Sequence, residues 1–155
     1  MGTTTFEAVR NSQFTAIEGI TPSSLDSAKF VKHHAEQDFR TWCEENPQAC
    51  FRRVSIADLF DYEGPQISNT DVEFVEGRQE IVVAYPTDYR YGLDAMRDMR
   101  DIIREDRNDL DNALGHRGTG NYTDAHAVLD SEMVEEAEGV RFLTLGYVFR
   151  FNRSV

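Results

Sequence analysis

Ile81-Val82-Val83-Ala84-Tyr85-Pro86-Thr87-Asp88-Tyr89-Arg90-Tyr91-Gly92 leads into a long helical pattern from Leu93 to Leu114, and this stretch decides the fold. Ile81 to Tyr85 is rich in β-branched and aromatic residues, which suit a pleated, half-buried surface. Pro86 ends the run, because proline has no N–H to give to a sheet ladder. In the helical part, Leu93, Met96, Met99, Ile103, Leu110 and Leu114 recur at the spacing of one helix face. Gly115 stands just past the last of them, where a left-handed cap residue is expected. Asp106 falls inside this apolar stripe, so either the stripe is broken there or it reaches an interface.

The opposite face of the helix is dense in charge of both signs. Arg97 with Asp101 and Arg107 with Asp111 are four residues apart, and Asp94 with Arg97 and Asp101 with Arg104 are three apart. Each such pair contributes only about 0.2–0.5 kcal/mol to a helix. Two readings fit: a solvated face laced with weak ion pairs, or a face that meets opposite charge on a neighbouring subunit. The second makes Arg97, Arg100, Arg104, Arg107, Asp101 and Asp111 the expected subunit-interface residues.

Working outward, the chain has 155 residues, the size of one ordinary domain, and 40% of them are hydrophobic. No apolar run is long enough to span a bilayer. The start, Met1-Gly2-Thr3-Thr4-Thr5-Phe6, has neither the basic nor the apolar region of a secretory signal, and none is expected. Acids outnumber bases by 28 to 16, for a net charge of −12. Such a chain should repel duplex nucleic acid unless its bases cluster, and Arg52-Arg53 is the only basic pair. Lys29 and Lys32 are the only lysines; the remaining cations are arginines, suited to planar contacts with carboxylates. Cys43 and Cys50 are too few for a disulfide framework and are expected to be reduced, structural and unligated.

Phe6 to Gly19 is expected to form a first helix, with Phe6, Val9 and Arg10, Phe14 and Ile17 marking its apolar side. Ile20-Thr21-Pro22-Ser23-Ser24 is a connector. Phe30 to Glu45 is expected to be helical in whole or part, and Asn46-Pro47 to turn. His33, His34, Glu36 and Asp38 invite a metal reading, but an exposed polar face explains them more simply. Cys50 to Leu59 is the first expected strand, with a bulge near Arg52-Arg53, and Asp61-Tyr62-Glu63-Gly64-Pro65 a loop. Asn69 to Tyr85 is either one long strand with an irregularity at Gly77 or a hairpin turning at Glu76-Gly77; the first is the expectation. Tyr122 to Val134 and Val140 to Phe151 are strands joined by the acidic connection Glu135 to Gly139. On the last strand Leu143, Leu145, Tyr147, Phe149 and Phe151 share the face expected to look at helices. The outcome is a single α+β domain over residues 1–155. It has two layers, a mainly antiparallel sheet of about four strands with helices packed on one face.

Catalytic signatures are missing from the sequence. Gly115-His116-Arg117-Gly118-Thr119-Gly120 follows a helix, whereas a dinucleotide loop must follow a strand. No serine lies in a nucleophile elbow, and no histidine stands near either cysteine in a supporting motif. No cofactor is expected. The enzyme alternative is a small-molecule pocket around Tyr85, Tyr89 and Tyr91.

The chain resembles tail terminator proteins of long-tailed bacteriophages, the group that includes the minor tail protein U family. The likeness rests on an N-terminal helix followed by Ile20-Thr21-Pro22, then Pro47 and Phe51-Arg52. It continues in Val83-Ala84-Tyr85-Pro86, in Tyr89-Arg90-Tyr91-Gly92 leading to Met96 and Asp101-Ile102-Ile103-Arg104-Glu105-Asp106, and in Phe149-Arg150-Phe151-Asn152-Arg153-Ser154. It covers most of the chain by element order, through motifs that carry no chemistry, and other head-to-tail connector or neck proteins share the style. The resemblance implies a virion protein without enzymatic activity. It implies a hexameric ring that caps the tail tube protein, meets a head-side connector or stopper protein, and lets DNA pass through its lumen without specific binding. It implies no membrane partner. In such a ring, partner-docking contacts are expected from the loops holding Tyr62, Gly64 and Pro65 and His116, Arg117 and Asn121.

Overall fold

Ile81, Val83 and Tyr85 on one strand and Leu143, Leu145 and Tyr147 on another all enter the same buried cluster, the alternation that a sheet with one core face requires. The computed structural model describes residues 6–23, 28–63, 72–87, 98–114 and 126–154; residues 58–63, 72–76, 126–128 and 149–154 are described by backbone alone. The elements run α1 (Phe6–Glu18), β1 (Val31–Lys32), α2 (Phe39–Glu45), β2 (Arg53–Glu63), β3 (Val72–Pro86), α3 (Met99–Leu114), β4 (His126–Ala137) and β5 (Val140–Ser154). The strands form a five-stranded sheet in the order β1-β2-β3-β5-β4. Only β1 and β2 run parallel; the other neighbours are antiparallel.

The class is α+β with a mainly antiparallel sheet, as expected. β3 is one continuous strand, registered against β5 without a break from Val72–Ser154 to Pro86–Val140. Gly77 causes no irregularity there; the register shift lies in β2, between Asp58 and Phe60. The β4–β5 hairpin is tighter than expected. Glu135 to Ala137 belong to β4, and only Glu138 and Gly139 turn, with φ of 50° and 78°. Two successive residues in the left-handed region match the twist of the flanking strands, and glycine takes the second without a Cβ clash.

Helices cover both faces rather than one. Val9 and Ile17 of α1 and Ile103, Leu110 and Leu114 of α3 pack over Val54, Ile81, Val83, Tyr85, Leu143 and Leu145. Phe39 and Cys43 of α2 pack with Cys50 on the opposite face, over Val82, Ala84, Val140 and Phe142. The cause is visible in β3. Ile81 to Tyr85 is apolar at every position, and a strand apolar on both faces needs cover on both.

Several boundaries move for local reasons. Between Phe30 and Glu45 only Phe39–Glu45 is helical. Val31 and His33 donate their N–H groups to Arg52 and Val54, so this segment adds a short strand to β2, and His33 and His34 lie on no helix. Asp38 then caps α2, its carboxylate accepting from Thr41 N at 3.0 Å. α3 begins at Met99, where the Asp98 carboxylate accepts from Arg100 N at 2.9 Å. Leu93, Met96 and Gly115 lie outside the described residues, as do Tyr122 to Ala125. β2 starts at Arg53 and continues to Glu63, so Asp61 and Tyr62 are strand residues, not loop.

Asp106 neither breaks α3 nor reaches an interface. It is wholly buried, and Arg52, also wholly buried, donates to its two oxygens at 2.7 and 2.9 Å. Tyr85 Oη donates to it at 2.7 Å, and Arg52 also donates to the Ala28 carbonyl at 2.7 Å. Arg52 holds φ at 52°, an uncommon conformation for a side chain of this size, to aim its guanidinium inward. Burial pushes the Asp106 carboxyl up, against the opposing pull of Arg52 and Tyr85; burial and then Asp106 push the Tyr85 hydroxyl well above its ordinary value.

A second buried polar pair joins α1 to β3. Gln13 Nε2 donates to Gln79 Oε1 at 2.6 Å, and Gln79 Nε2 donates back to Gln13 Oε1 at 2.8 Å. Gln13→Leu removes both hydrogen bonds that α1 makes to the Gln79 amide and is expected to lower unfolding free energy by about 1–3 kcal/mol. The double change to leucine should recover part of that loss, since neither amide of the pair is then left behind. Urea denaturation of the single and double variants checks this; a double variant worse than either single would refute it.

Candidate assembly surface

Among the described residues β4 is an edge strand, paired with β5 alone. Such an edge is a template for another strand unless charge or cover blunts it. Here the acids of β4 are neutralised by arginines from different elements. Asp130 pairs with Arg78 of β3, Glu132 with Arg107 of α3 at 2.7 Å, Glu135 with Arg40 of α2, and Glu136 with Arg141 of β5 at 3.3 Å. Between them Met133 and Val134 are 52% and 51% exposed. As strand neighbours they point to opposite faces, so both sides of the edge carry uncovered apolar surface.

A groove of about 530 Å³ runs between α3 and β4. Ile103, Leu143 and Val134 supply its apolar lining, and Arg100, Arg104 and Arg107 line it from the helix. α3 delivers these arginines to one side because Ile102, Ile103, Asp106, Leu110 and Leu114 take the buried side. Arg100 and Arg104 are exposed, and Arg107 is half-buried. Cations beside apolar surface are chemically suited to hold carboxylates and methyl groups together.

The expected interface residues divide. Arg100 and Arg104 line the groove. Arg100 also pairs with Asp98 at 2.7 Å, holding that exposed carboxyl well below its usual range. Arg107 is committed within the chain, to Glu132 and, at 3.0 Å, to Asn108 Oδ1. Asp111 accepts from Tyr147 Oη at 3.3 Å. Asp101 is exposed in the first turn of α3. Arg97 lies outside the described residues, as do Gly64, Pro65, His116, Arg117 and Asn121; Tyr62 is in β2, opposite Glu76. The clamp by Arg40, Arg78 and Arg141 was not anticipated. Its one trace in the sequence is the row of acids from Asp130 to Glu136, whose partners are scattered over the chain.

The other chemistry-bearing residues are built into the fold. Tyr85 is wholly buried, with its hydroxyl on Asp106, and Tyr89 and Tyr91 lie outside the described residues. The His33 ring packs between Phe39 and Trp42, each 4.9 Å away, and burial lowers its pKa, with Arg53 adding to the effect. Cys43 and Cys50 are buried side by side; a hydrogen bond between the thiols pushes Cys43 up and Cys50 down. Among the described residues, no group of three or more His, Cys, Asp or Glu could hold a metal ion, and no helix is long and apolar enough to cross a membrane. No protein-family model matches the chain, and no curated protein matches it significantly.

Proposed function

We propose that this chain is a structural virion protein, a tail terminator. Its copies close into a hexameric ring that caps the tail tube and joins the tail to the head-side connector. One observation carries the reading: an arginine-lined apolar groove beside a strand edge with no neighbour among the described residues, on a chain with a net charge of −12. An acidic chain repels its own copies unless cations gather where they touch. A closed ring also needs two different, complementary patches on each subunit. The resemblance in element order and in the Tyr85-Pro86 and Ile102-Ile103-Arg104 segments supports the same reading. An acidic lumen lets DNA pass without adhering.

Native mass spectrometry tests the ring, alone and with purified tail tubes. A closed oligomer, or a monomer that becomes one at tube ends, is the expected result. Arg100→Glu and Arg104→Glu should each weaken assembly while changing unfolding free energy by less than about 0.5 kcal/mol, since exposed charges contribute little to folding. A chain that stays monomeric and never joins tube ends refutes the proposal.

A further inference from the structure

We infer that copies join edge to edge, β4 of one subunit pairing with the uncovered part of β2 in the next, so that the sheet continues from subunit to subunit. This deepens the ring reading and rests on it. The two ends of the sheet are unlike. At one end stands β4, twelve residues long, its own acids neutralised and its apolar residues Met133 and Val134 exposed. At the other end β1 covers β2 only at Arg53 and Val54. From Ser55 to Glu63 the outer edge of β2 has no neighbouring strand among the described residues. Val31, on β1 and in register with Arg53, is the remaining large hydrophobic residue exposed among those described. Among the described residues, the exposed large hydrophobic side chains thus sit on β1 and β4.

Charge selects the pairing of unlike edges. The uncovered stretch of β2 carries Asp58, Asp61 and Glu63. The β4 edge adjoins Arg100 and Arg104. A second copy of this chain therefore brings a strand whose sequence is rich in acids, with open backbone groups, alongside β4 and the arginine groove, as in β-strand addition. Because the contact is heterologous, it propagates from copy to copy and closes when the rotation allows. Two β4 edges meeting each other would instead stop at a dimer and bring arginine against arginine.

The test uses two variants of the full chain. Val134→Lys with Arg104→Glu spoils the β4 edge; Asp58→Lys with Asp61→Lys spoils the β2 edge. Each alone should self-associate at least about tenfold more weakly than the unaltered chain. Mixed in equal amounts they should form a dimer and nothing larger, because one intact edge of each kind remains. That dimer also shows that both variants fold. A β2-edge variant that still assembles, or a mixture that stays monomeric, overturns the inference. Rings from both variants overturn it while leaving the ring itself standing. An unaltered chain that never assembles, even with tail tubes, removes both.

Discussion

Asp106→Ala is expected to lower unfolding free energy by about 3–5 kcal/mol, because it leaves the Arg52 charge buried without its partner. Arg52 and Asp106 are both wholly buried, and the pair ties the turn before β2 to α3. The same change strips the acceptor from Tyr85 Oη, adding an unsatisfied hydroxyl. In a domain of this size each kcal/mol moves the melting temperature by roughly 2–4 °C, so a fall of about ten degrees is expected. Arg52→Ala and Asp106→Ala combined should cost less than the sum of their separate losses, since neither charge is then left behind without the other. Thermal and urea unfolding of the single and double variants measure this. Additive losses would mean that the pair is not the unit it looks to be.

Phe142→Ala comes next, at about 3–5 kcal/mol. Phe142 is wholly buried under α2; the Phe39 ring lies 6.2 Å away edge-on, and the Arg40 guanidinium stands 4.7 Å over its ring. Removing it opens a cavity in the smaller core, which has few other residues to collapse into the space. The single tryptophan, Trp42, sits on α2 and reports this directly. Its fluorescence should shift before the bulk of the sheet unfolds. A loss under about 1 kcal/mol with unchanged Trp42 emission would show that α2 does not depend on this face.

The long strands were legible because burial writes a period into them. Ile81 to Tyr85 and Leu143 to Tyr147 announce themselves, and so does α3 through Ile103, Leu110 and Leu114. What the sequence concealed is of another kind. The apolar offsets of Val31, Ala35, Phe39 and Trp42 imitate a helix, yet Val31 is drawn to the edge of β2 and Asp38 makes a better cap than an interior residue. Asp106 stood out as a charge in an apolar stripe, but its partner lies far back at Arg52, and no periodicity links them. The same holds for the candidate surface. Its helix arginines were visible in α3, whereas the pairing of Asp130, Glu132, Glu135 and Glu136 with arginines from α2, β3, α3 and β5 exists only once the chain has folded.

The unbroken register between β3 and β5 also sets the order in which the molecule can form. β2 with β3, and β4 with β5, are neighbours in the chain and can pair early. Joining β3 to β5 must wait for the chain beyond α3, and contacts between such distant segments are slow to find. Until then one side of β3 presents Ile81 to Tyr85, uncharged and rich in β-branched residues, as an unclaimed strand. Refolding should therefore be a race between the two hairpins of one molecule and the open strands of different molecules, lost increasingly as the protein is concentrated. The longest junction in the finished sheet is, for that interval, where the chain is most exposed to aggregation.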